Sequence, residues 1–262
     1  MINCFQNTNI KSAGEFTVQL MDKQRFAAAC ESVRAGIKDS GIGTLSEKSI
    51  HSVLKKYYEP QNCNHEVKVG NYIADIVGEN GIIEVQTRSL FRLQKKLDVF
   101  LDYCPVTVVH PVIKERRIKW LDENGVLIRQ RKSPLKQNIY DALFELYGIK
   151  YALDNPNMTV IIPVINAEDL RIRKSRTKSI YAKADKIPVS IEEELVLSCA
   201  DDWRVFVPCR LEEVFTSKEF AAAAGIHPKT AWYCLNILNY LGIAEKDGKR
   251  QNSILYRIRD FR

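Results

Sequence analysis

Apolar positions recur at helical spacing over residues 22–38, where Phe26, Ala29, Cys30 and Val33 line one side. They recur again after Ser46, a residue suited to cap a helix, through Ile50, Val53, Leu54, Tyr57 and Tyr58, until Pro60 ends the run. The period then shortens. HEVKVG, NYIADIVG and GIIEVQT read as three short strands separated by Gly-containing turns. A helix over residues 89–103 follows, with Leu90, Leu93, Leu97, Phe100 and Leu101 as its buried stripe. PVTVVHPV reads as a buried strand, and ERRIKWLDENGVLIRQRK as a hairpin turning at Asn124-Gly125. SPLKQNIYDALFELYGI predicts a helix and MTVIIPVI another buried strand. Residues 171–186 carry seven Lys/Arg against one Asp and read as a basic linker or loop, and PVSIEEELVLSCADDW beyond it reads as helical.

This order of elements predicts an α/β protein whose mixed central sheet is flanked by helices, followed by a small C-terminal module. The expected divisions are a helical extension over residues 1–43, a core over 44–170, a basic linker and helix over 171–210 and the terminal module over 211–262. A chain of 262 residues with 45% hydrophobic content is long enough for a sizeable core and more than one domain. Lys and Arg outnumber Asp and Glu by 39 to 32, which suits a polyanionic partner without requiring one. Seven scattered Cys without a CxxC pair predict reduced, mostly buried thiols rather than a disulfide framework or a zinc site. No charged-then-apolar leader and no membrane-length apolar run are present, so the expectation is a cytoplasmic protein with no membrane partner.

The candidate chemistry lies in the hairpin over residues 71–86. Asp75 interrupts one apolar strand and Glu84 the next, around the turn Gly78-Glu79-Asn80-Gly81. That turn sets a register in which Val77 faces Ile82, Ile76 faces Ile83, and Asp75 faces Glu84, with Gln86 on the face of Glu84. Two opposed carboxylates in apolar surroundings repel each other, and a divalent cation between them relieves the repulsion. On the preceding helix, Glu47 and His51 stand four apart on the apolar side, while Lys48, Lys55 and Lys56 point away. A hydrogen-bonded core histidine and a solvated acidic hairpin are the competing structural readings of these residues.

This arrangement resembles the PD-(D/E)xK, or restriction-endonuclease-like, nuclease superfamily over roughly residues 44–112. The resemblance implies that Asp75 and Glu84 bind Mg²⁺ (or Mn²⁺), with the Val85 carbonyl as a third ligand and Glu47 reaching the metal through water. The departure is Gln86, which stands where the superfamily usually has Lys. Gln offers hydrogen bonds to an attacking water but no charge, so the expectation is either slower activity or a nearby cation in its place, with Lys68 and Lys96 as the candidates. His51 is a candidate proton relay.

Basic side chains suggest where nucleic acid would lie. Arg88, Arg92, Lys95 and Lys96 oppose the buried stripe of their helix. The tail from Phe215 resembles a winged helix-turn-helix: Thr216 or Ser217 caps a first helix ending at Gly225, Pro228 opens a second that Gly242 stops, and a hairpin follows with a wing near residues 247–251. Lys229 on the second helix, with Lys249 and Arg250 on the wing, would contact DNA. The expected function is therefore Mg²⁺-dependent phosphodiester hydrolysis, with nucleic acid, DNA foremost, as substrate and with room for a homodimer. The alternatives are a non-catalytic nucleic-acid-binding or regulatory protein that keeps the nuclease fold, and a protein-docking adaptor.

Overall fold

The computed structural model describes residues 22–40, 49–173 and 181–259. The first of its sheets starts as a meander, β1 (His65–Val69), β2 (Tyr72–Gly78) and β3 (Gly81–Val85), each antiparallel to the last. The turn sets the expected register, with Val77 opposite Ile82 and Ile76 opposite Ile83. Gly81 is indispensable to that turn: its φ is +113°, and a Cβ there would sit 2.2 Å from the Pro105 carbonyl oxygen. Only glycine combines such a backbone with so close an approach.

β3 then runs parallel to β4 (Val106–Val109), and β4 parallel to the long β7 (Met158–Arg173). After a break at His110-Pro111 the chain resumes as β5 (Val112–Leu121), which lies further along the same edge of β7 and is also parallel to it. β6 (Leu127–Lys132) folds back on β5, with a turn that includes Asn124-Gly125 as expected. β8 (Tyr181–Leu197) covers the opposite edge of β7. The result is a mixed sheet of eight strands among the described residues.

Helices cover this sheet. α1 (Lys23–Ser40) and α2 (Ser49–Tyr58) share a core with Ile76, Val85, Val109 and Ile161, and Phe26, Ala29, Cys30, Ile50, Val53, Leu54 and Tyr57 are buried as expected. A buried polar cluster fixes α2 to β8: Ser49 donates to Asp185, and the Tyr57 and Tyr58 hydroxyls donate to Glu194. A second core holds the stripe Leu90, Leu93, Leu97 and Phe100, carried by a 3₁₀ turn (Leu90–Leu93) and α3 (Gln94–Phe100), with Leu101 just beyond α3.

Three sequence expectations fail here. Residues 139–152 form two 3₁₀ turns around the short α4 (Leu143–Leu146) rather than one helix, with Ile149 off helical geometry. Residues 171–173 and 181–186 extend β7 and β8, so the linker expectation is wrong for them; residues 174–180 lie outside the described set. Residues 190–197 are strand, and a 3₁₀ turn follows at Ala200–Phe206. The run of Glu residues suggests helix, but the side chains alternate between two faces: Leu195 and Leu197 enter one core, while Glu194 and, across a ladder irregularity, Ile191 face α2 and its core. The thiols also differ: of the six described cysteines, Cys30 and Cys234 are buried, while Cys63, Cys199 and Cys209 are exposed, and none is bonded to another.

The C-terminal segment holds β9 (Phe215–Thr216), α5 (Ser217–Ala224), α6 (Pro228–Tyr240), β10 (Ala244–Arg250) and β11 (Ser253–Ile258), with the sheet ordered β10-β11-β9. Its punctuation matches the sequence: Thr216 and Glu219 form a capping box, Gly225 ends α5 in the left-handed region, and Pro228 opens α6. The hairpin turn falls at Gln251-Asn252, with an irregularity between Lys246 and Lys249 inside the ladder. This segment is not a separate body. Phe215, Phe220, Leu235 and Leu238 belong to one continuous core with Leu143, Leu146, Val160 and Leu197.

Candidate active site

β2 and β3 pair as far as Ile76 and Ile83, and the carboxylate of Asp75 fills the fork beyond. Its Oδ2 accepts the Val85 N–H at 2.9 Å and lies 3.2 Å from His51 Nε2 on α2. Glu84 reaches back across the fork, its Oε1 3.4 Å from the Asp75 backbone nitrogen. Its Oε2 takes an ion pair from Lys96 Nζ on α3 at 2.7 Å. Four of the side chains singled out in the sequence, His51, Asp75, Glu84 and Lys96, thus meet where two strands part.

The two acids differ in electrostatics. Glu84 is only 2% exposed, and burial together with the charge of Asp75 pushes its pKa up to about 7, despite the opposing pull of Lys96. Burial also acts upward on Asp75, but His51, the Val85 N–H and Lys96 outweigh it and hold that carboxyl below the usual range. Near neutrality one acid is therefore ionised and the other shares its proton with solution, as expected of carboxylates that repel across a short gap.

Around this pair the outcomes are mixed. Lys96 does not lie on the solvated face with Arg92 and Lys95; it is half-buried and paired with Glu84. Lys68 is exposed on β1, opposite Ile73, and contacts neither acid. Lys55, expected to point away from the core, is buried and paired with Glu66 at 3.2 Å. Glu47 and Lys48 lie outside the described residues. The backbone of Gln86 extends the sheet, its N–H donating to the Val109 carbonyl and its carbonyl accepting from His110 Nδ1 at 2.7 Å. Sequence reading passed over His110. It is 5% exposed, and burial holds its pKa below the ordinary imidazole value. An isolated His between two apolar strands carries no periodic signal; only the strand break shows that it supports the chain beyond Glu84.

Arg88, with Thr87 and His110, lines a cavity of about 320 Å³ that also takes in Arg116, Gln137 and Lys186. A second cavity, about 490 Å³, lies among Leu97, Asp98, Tyr151 and Asn155 and involves none of the site acids. Among the described residues no group of three or more His, Cys, Asp or Glu is arranged to hold a metal ion. No described helix is long and apolar enough to cross a membrane.

α6 lies against the core rather than clear of it: Tyr233 packs on Phe144 and Tyr147, Trp232 on Tyr147, and Tyr240 on Tyr151. The Asn236 amide donates to the Trp232 carbonyl and that of Asn239 to the Ala244 carbonyl. Lys229 and Lys249 are exposed, but Arg250 is paired with Glu219, Arg257 with Asp247 and Glu213, and Arg259 with Glu245.

Comparison with known proteins gives a family but no activity. A protein of Treponema pallidum (strain Nichols), described as uncharacterized, is 30% identical over 225 residues, covering 82% of this chain and 87% of its own length. No solved structure matches. A family model described as a domain of unknown function, DUF8091, matches residues 48–198, from the start of α2 to the end of β8 and so the whole of the site above, and the chain belongs to that family.

Proposed function

We propose that this protein is a divalent-metal-dependent nuclease that hydrolyses phosphodiester bonds in DNA. The observation that carries the reading is the convergence of Asp75 and buried Glu84 in the fork between β2 and β3, with Lys96 beside them. The donor set suits Mg²⁺, which takes one or two carboxylates and keeps several waters. Burial beside Asp75 leaves Glu84 titrating at about 7 even with Lys96 paired to it, and a cation shared with Asp75 would favour its ionised form. Asp75, Glu84 and the Val85 carbonyl would hold the ion, which when bound supplies Lewis acidity toward a phosphate and a bound water.

The chain's own groups have distinct tasks in this reading. Asp75 is kept ionised by His51 and the Val85 N–H, ready to bind without first losing a proton. Lys96 places beside Glu84 the positive charge that Gln86 lacks, and Gln86 contributes hydrogen bonds that orient a water. His51 holds Asp75 in place, its Nε2 3.2 Å from the carboxylate Oδ2. His110 anchors the Gln86 carbonyl and so the strand that carries both residues.

The β9-α5-α6-β10-β11 segment has the element order of a winged helix, but its second helix is flanked by core aromatics. We therefore read this segment as a buttress that completes the core.

The test is a cleavage assay on linear and supercoiled DNA, and on RNA, with Mg²⁺ or Mn²⁺. Asp75→Asn and Glu84→Gln, which retain hydrogen-bonding groups, are each expected to lower cleavage at least 100-fold while the fold persists. Cleavage unchanged in both would remove the nuclease reading.

A further inference from the structure

The chain's positive charge is not spread evenly. Residues 114–136, 168–173 and 181–186 contain twelve Lys/Arg and six Asp/Glu, an excess of six in a chain whose formal charge is +7. These segments are the β5–β6 hairpin and the distal ends of β7 and β8 with their neighbouring turns. They form one four-stranded blade in the order β6-β5-β7-β8.

Register sorts its side chains, because residues paired across a ladder share a face. Arg129 pairs with Trp120, Trp120 with Arg171, and Arg171 with Lys183; in the next row Arg131, Ile118, Asp169 and Lys186 are joined likewise. The guanidinium groups of Arg129, Arg131 and Arg171 converge on the Trp120 ring, 4.2, 5.7 and 5.6 Å from its centroid. The nearby carboxylate is the buried Asp169, 3.7 Å from Arg171. Arg171 Nε is buried without a hydrogen-bond partner, as is Arg116 Nε, which belongs to the same face. Among the described residues Arg129, Arg131 and Lys183 pair with no carboxylate, in contrast to Arg250, Arg257 and Arg259 of the terminal segment.

We propose that this face of the blade binds the phosphate backbone of duplex DNA. Cations gathered over one indole and left short of negative charge call for a polyanion. β5 has ten residues, which at about 3.3 Å each span about 33 Å, close to one turn of the double helix. The hairpin tip carries Asp122 and Glu123, which phosphates would repel, so the blade lies along the backbone rather than entering a groove tip first. Basic edge strands also discourage strand-to-strand association. That role needs charge on β6 alone, whereas here the cations continue across β7 and β8. The face leads on to Arg116 and Lys186, which line the cavity shared with Thr87 and Arg88, directly after Gln86. The choice of DNA as the polyanion rests on the nuclease reading; the charge argument does not.

The experiment measures binding in EDTA, without cleavage, by fluorescence anisotropy of a 20-base-pair DNA duplex with the full chain between 50 and 200 mM KCl. Arg129→Gln/Arg131→Gln is expected to weaken binding at least tenfold at 100 mM and to lower the log–log salt slope by about 1.8, near 0.9 for each lost phosphate contact. Arg129→Lys/Arg131→Lys keeps the charge and is expected to keep the slope. Lys183→Gln, at a position that does not itself contact the Trp120 ring, lowers it by about 0.9 and serves if the double variant is unfolded. Lys229→Gln/Lys249→Gln changes affinity less than twofold. Absent duplex binding, a preference for RNA, or equal loss in the Lys229/Lys249 variant overturns the proposal. Binding as expected with no cleavage under Mg²⁺ or Mn²⁺ leaves it standing and removes the nuclease reading instead.

Discussion

Glu84→Gln isolates the electrostatic state of the candidate site. In the folded protein the Glu84 carboxyl titrates at about 7 instead of the ordinary 4.5, because it is buried beside Asp75. That displacement is worth about 3 kcal/mol, at roughly 1.4 kcal/mol for each pH unit. The sign follows from which form the fold prefers. The folded state favours the protonated acid, so this contribution to stability is full below about 4.5 and is lost as pH rises through about 7. Gln does not titrate. The stability of the wild type relative to Glu84→Gln is therefore expected to fall by about 3 kcal/mol between pH 4.5 and 8.5, most of it above pH 5. Urea unfolding of both proteins at half-unit pH intervals reads this as a divergence of roughly 1 M in midpoint. Other buried acids such as Glu194 are common to both proteins and cancel in the difference, whereas Asp75, with its lowered pKa, acts only below this range. Mg²⁺ favours the ionised form and is expected to shrink the divergence. A difference that stays flat from pH 5 to 8.5 refutes the reasoning.

Replacing Lys96 by Met removes the cation that lowers the Glu84 pKa; the midpoint of the same pH-dependent difference is expected to move upward, and cleavage to fall 10²–10³-fold. Gly81→Ala forces a side chain against the Pro105 carbonyl at a positive φ, so a loss of more than about 3 kcal/mol is expected in thermal or urea unfolding. Leu235→Ala, fully buried in the shared core, is expected to lose about 2–5 kcal/mol, and a chain ending before Phe215 to lack a cooperative melting transition; an intact transition would show that the terminal segment is dispensable.

The parts of the site written in local pattern were legible in the sequence. The turn at residues 78–81 sets the register of its own strands, so the meeting of Asp75 and Glu84 follows from counting. Helical spacing likewise turned His51 inward, and it lies against Asp75. What failed depended on long-range pairing. Residues 171–173 and 181–197 are strands because each supplies the other's ladder, a relation between distant segments that a Lys- and Glu-rich composition hides. The helix ends at Thr216, Gly225 and Pro228 are legible locally, yet nothing local shows that Tyr233 and Tyr240 pack on Phe144, Tyr147 and Tyr151. Lys96 fits two readings of the sequence, a solvated basic face and a cation near the acids, and only the fold shows it paired with Glu84.

The single core shared by α4, β7 and the terminal segment bears on how the protein is made. Synthesis delivers the chain from its N-terminus at about 5–20 residues per second. Leu143, Leu146 and Ile149 thus emerge well before Phe220, Leu235 and Leu238, which cover them in the finished molecule. Roughly 80 further residues must follow Leu153, which takes about 4–16 seconds at that pace. Throughout that interval the nascent sheet presents an uncovered apolar face. A chaperone that holds such faces during translation would therefore engage this chain late, and it would be released when α6 docks rather than when the sheet is complete.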